Sequence, residues 1–392
     1  MIEVKSNLSI PKLNQLYIEL EEKKKIKDKV DLVLPKKFDR SEFGVLFSFL
    51  QFVATWVRSR NSGNLILPIN GINEGKEYLE ENEFVYPSIV LSWEKQILDS
   101  QRKNLRPNLK EASQKYFKRM EFFELKGRSV PIYCFDHDKR KSGLSKNLYD
   151  LNQNLVSEDA LGINLYPAYK KIGSLNPKVF KKNIKTLMDD FSAIIYELFA
   201  NTDEHAKTDE KGQHLYPNIR SFNLSFHTRK LETYLKVYNN FPGLIEYFKS
   251  KFSLNPDGNL YLIEISILDS GPGLVKRYNR ITDLNKMSVE NEVSIIKECL
   301  CRHRTSAEGV SQFTKGLGLD RVLKTIDGRG FVRIKSGRVD VYRNMKKLRY
   351  KPVDKSSDIA LYDWQKNNAK EFLEYPVAEG TLISIFYPLE YK

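Results

Sequence analysis

The chain has 392 residues, 41% of them apolar and 29% charged, with a formal net charge of +14. That profile excludes a disordered or fibrous chain and gives length enough for two domains. The three cysteines, Cys134, Cys299 and Cys301, come with no Cys/His cluster that would complete a zinc tetrad, so they read as reduced thiols of a cytoplasmic protein.

Residues 1 to about 29 read as a polar helical lead with no basic stretch ahead of an apolar run. Val30 to Leu34 reads as a strand stopped by Pro35. Ser41 is the expected N-cap of a helix carrying Phe43, Leu46, Phe47, Leu50, Val53 and Val57. The apolar stretch from Val45 to Val57 is too short to span a membrane, so a buried helix with no membrane partner is expected. Asn64 to Ile69 is a second strand, helical patterns run on to Phe123, and a strand at Val130 to Phe135 closes the unit. This predicts a small α/β domain over residues 1–150. Its order of strand, apolar helix, strand and a helix ending in Phe122-Phe123 resembles a STAS-like module, which implies a regulatory or partner-binding role.

Residues 151–176, with Pro167, read as a linker. A long helix from Pro177 to Ala206 opens a second domain, residues 177–392. Strands are expected at Ile219 to Thr228 and Leu260 to Leu268, with residues 229–258 as an insertion between them. Leu274 to about Thr314 reads as a long irregular segment. A helix follows Gly318, and strands at Gly330 to Ser336, Arg338 to Tyr342 and Leu382 to Tyr387 end the count.

Three segments of this second domain carry chemistry. Glu197, Asn201 and His205 are spaced i, i+4, i+8 and share one helix face, opposite Leu187, Phe191, Ile194 and Leu198. Such a stripe fits a solvated face. It equally fits a carboxylate that activates water and an amide that ligates Mg²⁺ one turn on. Asp269-Ser-Gly271-Pro-Gly273 follows an apolar strand, where a carboxylate accepts from an exocyclic amine and glycines let backbone approach a flat ring. An ordinary Asp-Gly turn reads the same way. Lys315-Gly316-Leu317-Gly318-Leu319 opens a helix, which presents backbone N–H groups, a helix dipole and a lysine to phosphate. No Gly-x4-Gly-Lys-Ser/Thr loop occurs anywhere in the chain.

In this order the three segments resemble the N box, DxGxG box and GxGLG box of the GHKL ATPases. That family includes histidine kinases, heat-shock chaperones, gyrase and MutL. Gly380-Thr381 resembles the family's closing Gly-Thr pair. The resemblance implies a Bergerat-type two-layer α/β sandwich, a mixed sheet with helices on one face, binding ATP and Mg²⁺. It implies Glu197 as general base, Asn201 as Mg²⁺ ligand, and Asp269 as the adenine-reading carboxylate assisted by Thr381. Gly271 and Gly273 would shape the base pocket, and Lys315, Gly316, Leu317, Gly318 and Leu319 would lie under the phosphates. His205 falls where anti-sigma-factor-type kinases and some histidine kinases carry a basic residue or a histidine. Residues 274–315 would be the ATP lid. Thr202, in place of the usual Ala, and the insertion at 229–258 depart from the family pattern.

The resemblance leaves three outcomes for the nucleotide. Glu197 favours a slow ATPase acting as a conformational switch. A kinase acting on a separate protein stays open, although no histidine (His137, His205, His214, His227, His303) sits in a phospho-acceptor context. The third outcome is an ATP-gated interaction module without hydrolysis. Partners implied are ATP and a second protein or a second copy, through the N-terminal domain or the lid. The net charge keeps nucleic acid open, but the basic runs at Lys23–Lys25 and His137–Lys141 lack interleaved aromatics.

Overall fold

Short strands alternate with amphipathic helices through the first hundred residues and fold as the alternation dictates. The computed structural model describes residues 1–25, 28–38, 42–136, 143–301, 318–353 and 355–391. Strands β1 (Ile2–Glu3), β2 (Val30–Val33), β3 (Ser62–Ile66) and β4 (Ile97–Leu98) form a parallel sheet in sequential order. Helix α1 (Ile10–Lys24) starts at Ser9, whose hydroxyl accepts from the Lys12 N–H, and buries Leu13, Tyr17 and Leu20. Helix α2 (Val45–Arg58) is buried from Val45 to Val57, as its apolar run predicts. Its cap is Gly44, at positive φ; Ser41, the expected cap, lies outside the described residues. Helices α3 (Gly71–Glu81), α4 (Val85–Leu91) and α5 (Arg106–Glu121) complete the unit.

The strand expected to close this unit does not. β5 (Ser129–Cys134) pairs with β6 (Arg220–Lys230) and becomes the edge of a second, seven-stranded sheet in the order β10-β9-β8-β11-β7-β6-β5. Here β7 is Asn259–Asp269, β8 Phe331–Gly337, β9 Val339–Asn344, β10 Tyr362–Asp363 and β11 Ala378–Pro388. All six residues of β5 are buried, so it needs a neighbour and cover on both faces. A boundary near residue 150 therefore cuts across this sheet.

Every pairing in the seven-stranded sheet is antiparallel, where a mixed sheet was expected. Helices cover both of its faces, where one was expected. Side chains alternate along each strand. One set, with Ile267, Ile383 and Tyr387, meets helix α7 (Pro177–His205), where the Phe191 and Tyr387 rings lie 5.1 Å apart. The other set meets the N-terminal unit. The Phe386 and Phe43 ring centres lie 4.0 Å apart, and Glu264 accepts from the Gly44 N–H at the start of α2. The 229–258 insertion folds as α8 (Leu231–Val237) and α9 (Pro242–Phe248), and its Tyr238 and Phe248 pack on Phe386.

Two further expectations change. Residues 151–176 are not a linker: α6 (Glu158–Ser174) occupies most of them and packs along α7. Leu161, Leu165, Ala168, Tyr169 and Ile172 are buried at helical spacing, and that burial outweighs the cost of about 3 kcal/mol that Pro167 imposes inside a helix. Nor is 274–301 irregular. It forms α10 (Leu274–Asn279), a 3₁₀ turn at Leu284–Lys286 and α11 (Val289–Leu300), with Val289, Val293, Ile296 and Leu300 buried. Arg338 fixes this segment to the sheet by donating to Glu292, Leu284 O and Met287 O at 2.6–2.8 Å. Helix α12 (Gly318–Thr325) then leans on α7.

Candidate functional site

Helix α7 begins where Asn176 caps the Val179 N–H and Pro177 supplies a preset φ. It is long enough, at 29 residues, to carry its last two turns past the sheet to the strand ends. There Asn201 and His205 line a cleft with Asp269, Gly273, Gly318, Leu319 and Thr381. The cleft has a cavity volume of about 110 Å³ and opens to solvent. Leu198, Ile267, Pro272, Leu274 and Ile383 make its walls apolar.

Asp269 is the last residue of β7 and stands opposite Thr381 of β11 in register. It is 8% exposed and accepts the Gly271 N–H at 2.8 Å and the Thr381 N–H. Burial pushes its carboxyl up to about 6, while those two bonds and Arg58 oppose the shift. The result is a carboxylate in an apolar slot, with acceptor capacity left for a donor in the cleft. Gly273 turns the chain at φ +83, a conformation that side chains disfavour. Thr381 shares a hydroxyl contact of 3.2 Å with Ser336.

Glu197 does not stand free. Arg321 of α12 donates to Glu197 at 2.8 Å and to both oxygens of Glu158 at 2.6 and 2.7 Å. Its hydrogen bonds to Glu158 and Glu197 hold the guanidinium above its ordinary value. Gly318 explains how α12 comes so near: a Cβ there would stand 2.9 Å from Glu197 Oε2 and 3.2 Å from Asn201 Nδ2. Lys315, Gly316 and Leu317 lie outside the described residues.

Sequence reasoning missed several groups. Arg277, Tyr278 and Cys299 also line the cleft, and they come from the segment expected to be irregular. Arg321 lies one turn past Gly318, so a helix starting there puts it on the α7 side; that spacing was readable. Glu158 came from the supposed linker. Arg220, fully buried, donates to both oxygens of Asp136 at 2.5 and 2.9 Å and to Asp203 at 2.7 Å, which ties the last turns of α7 to the sheet. Arg58, at the end of α2, donates to Pro217 O at 2.7 Å, Ser270 Oγ at 3.2 Å and Ser270 O. The N-terminal unit thereby grips the loop just past Asp269, and no local pattern in the sequence announces that contact.

Among the described residues, no group of three or more His, Cys, Asp or Glu is placed to hold a metal, and no helix is long and apolar enough to cross a membrane. Compared with protein-family models, curated proteins and solved structures, the chain matches none.

Proposed function

We propose that the cleft binds ATP with Mg²⁺ and that the chain is a nucleotide-gated switch with slow hydrolysis. One observation carries this reading. Four segments far apart in sequence, bearing Asn201 and His205, Asp269 and Gly273, Gly318, and Thr381, meet around one apolar cleft. The donor set fits the ligand. A buried carboxylate between apolar walls suits a flat base with an exocyclic amine, and Asn201 supplies a hard oxygen near the start of α12. Bound Mg²⁺ would offset the charge of the phosphates and would need few protein ligands, since it keeps several waters.

In this reading Glu197 is the general base, and it works only when Arg321 lets go. Arg321 donates to Glu197 Oε1, so that oxygen is occupied where it would otherwise face an attacking water. A nucleotide's phosphates add negative charge that competes for Arg321, which couples release of Glu197 to occupancy of the cleft. The partner that senses the switch is a second protein or a second copy, with nucleic acid left to the basic charge. The Glu197–Arg321 pair favours a second reading, an ATP-gated module that does not hydrolyse; transfer of phosphate to a separate protein is the third.

Single-turnover assays with γ-labelled ATP and Mg²⁺ separate these. The expected result is phosphate release by the parent and none by Glu197→Ala, with ATP binding kept by both. Equal release by the two proteins would sink the assignment of the base, and binding without release by either would leave the gated module standing.

A further inference from the structure

The opposite face of the seven-stranded sheet holds a second cavity, unrelated to the nucleotide reading. Alternation along β6 turns Phe222 toward Phe199 of α7, so Asn223, Ser225 and His227 point the other way, beside Glu264 of β7. The cavity there has a volume of about 280 Å³ and lies between these strands and the start of α2. Its lining includes one buried amide oxygen without a hydrogen-bond partner among the described residues.

Asn223 is 2% exposed, and its Nδ2 donates to Ser225 at 2.7 Å, but its Oδ1 has no hydrogen-bond partner among the described residues. Glu264 is 6% exposed. Its Oε1 accepts from Gly44 N–H at 3.2 Å and Ser266 Oγ at 3.0 Å, and its Oε2 lies 3.3 Å from His227 Nε2. A buried carbonyl oxygen left without a partner is costly, so an acceptor held this way against a cavity calls for an occupant with a donor. Around the cavity, Glu42 adds a second carboxylate, while Arg128 and Arg229 supply two guanidinium groups. Arg128 is exposed and Arg229 half-buried, so the positive charge sits nearer solvent than Glu264 does.

We infer that this cavity is a binding site for a small zwitterion. Its amine is held inside by Asn223 Oδ1 and Glu264, and its carboxylate by Arg128 and Arg229. A plain cation would meet the two arginines, and a plain anion the two glutamates. A molecule with both ends meets the carboxylates with its amine and the guanidinium groups with its carboxylate.

The test is calorimetric titration of the full chain with glycine, β-alanine, 4-aminobutyrate and 6-aminohexanoate, a series that varies the distance between the ends. Butylamine and butyrate carry one end each. At least one zwitterion is expected to bind, with both single-ended compounds weaker by about tenfold or more. Asn223→Leu, close in shape but lacking the acceptor, and Arg128→Gln, on the surface, should each weaken that zwitterion by about tenfold. Should Asn223→Leu fail to fold, Arg128→Gln decides. The inference is overturned if no member binds at millimolar concentration, which leaves a hydrated cavity, if butylamine binds as well as the zwitterions, or if the variants bind like the parent. ATP binding is measured alongside, because it reports on the other face and fails independently.

Discussion

Replacing Arg58 by alanine tests whether the N-terminal unit and the seven-stranded sheet are one folding body. Its side chain is 10% exposed, and burial pulls the guanidinium below its ordinary value. It donates to Pro217 O from two nitrogens, at 3.0 and 2.7 Å, and to Ser270. Each bonded site served by a charged donor contributes about 1.5 kcal/mol or more, and both carbonyls lose their partner when the side chain goes. The 3.5 Å pair with Glu379, partly exposed, adds under about 1 kcal/mol. The total is about 3 kcal/mol, which at an m-value of about 3 kcal/mol/M lowers the urea midpoint by about 1 M. The assay follows fluorescence in two single-tryptophan proteins. Trp56 lies in α2, and Trp364 packs against Arg333 of β8, with 4.5 Å from the Arg333 guanidinium carbon to its ring centre. Both reporters should show one transition, and both should shift together in Arg58→Ala. A shift confined to Trp56, or none, would refute the claim that α2 locks the loop after Asp269.

Two more predictions concern the cleft. Gly318→Ala adds a methyl 2.9 Å from Glu197 Oε2 and 3.2 Å from Asn201 Nδ2, so those side chains must give way; melting should hold or fall while ATP affinity falls, and unchanged affinity by fluorescence titration would show that Asn201 takes no part. Because burial pushes the Asp269 carboxyl up to about 6 and its ionised form is the stronger acceptor, ATP affinity should be level above pH 7 and decline as the pH passes down through about 6. Its carboxyl is raised above the unfolded value, so folding loses stability as the pH rises from about 4 to 6, and Asp269→Asn should remove that loss along with the pH dependence of binding. A pH-independent affinity in the parent would count against Asp269 as the group that reads the base.

What the sequence by itself determined was local. The periods of α2 and α7, the alternation of β6, β7 and β11, and the i, i+4, i+8 stripe of Glu197, Asn201 and His205 are all short-range consequences of residue type. The glycines could be picked out for the same reason, because a tight turn at Gly273 and a close approach at Gly318 leave no room for a side chain. Other readings failed where tertiary context overrode local signals. Pro167 looked like a break until the buried face of α6 outweighed it. Residues 274–300 looked loose, although Val293, Ile296 and Leu300 already repeat at helical spacing and needed only the Glu292–Arg338 anchor. Three things were left to the tertiary structure: the wholly antiparallel sheet with β5 at its edge, the placing of α2 across its back, and the long-range partners of Glu197 and Asp269. Arg321 and Glu158 are 163 residues apart, and Arg58 lies 212 from Ser270. Pairs at such separations are chosen by packing, since a hydrogen bond or ion pair depends on where two groups end up and leaves no period in the chain between them.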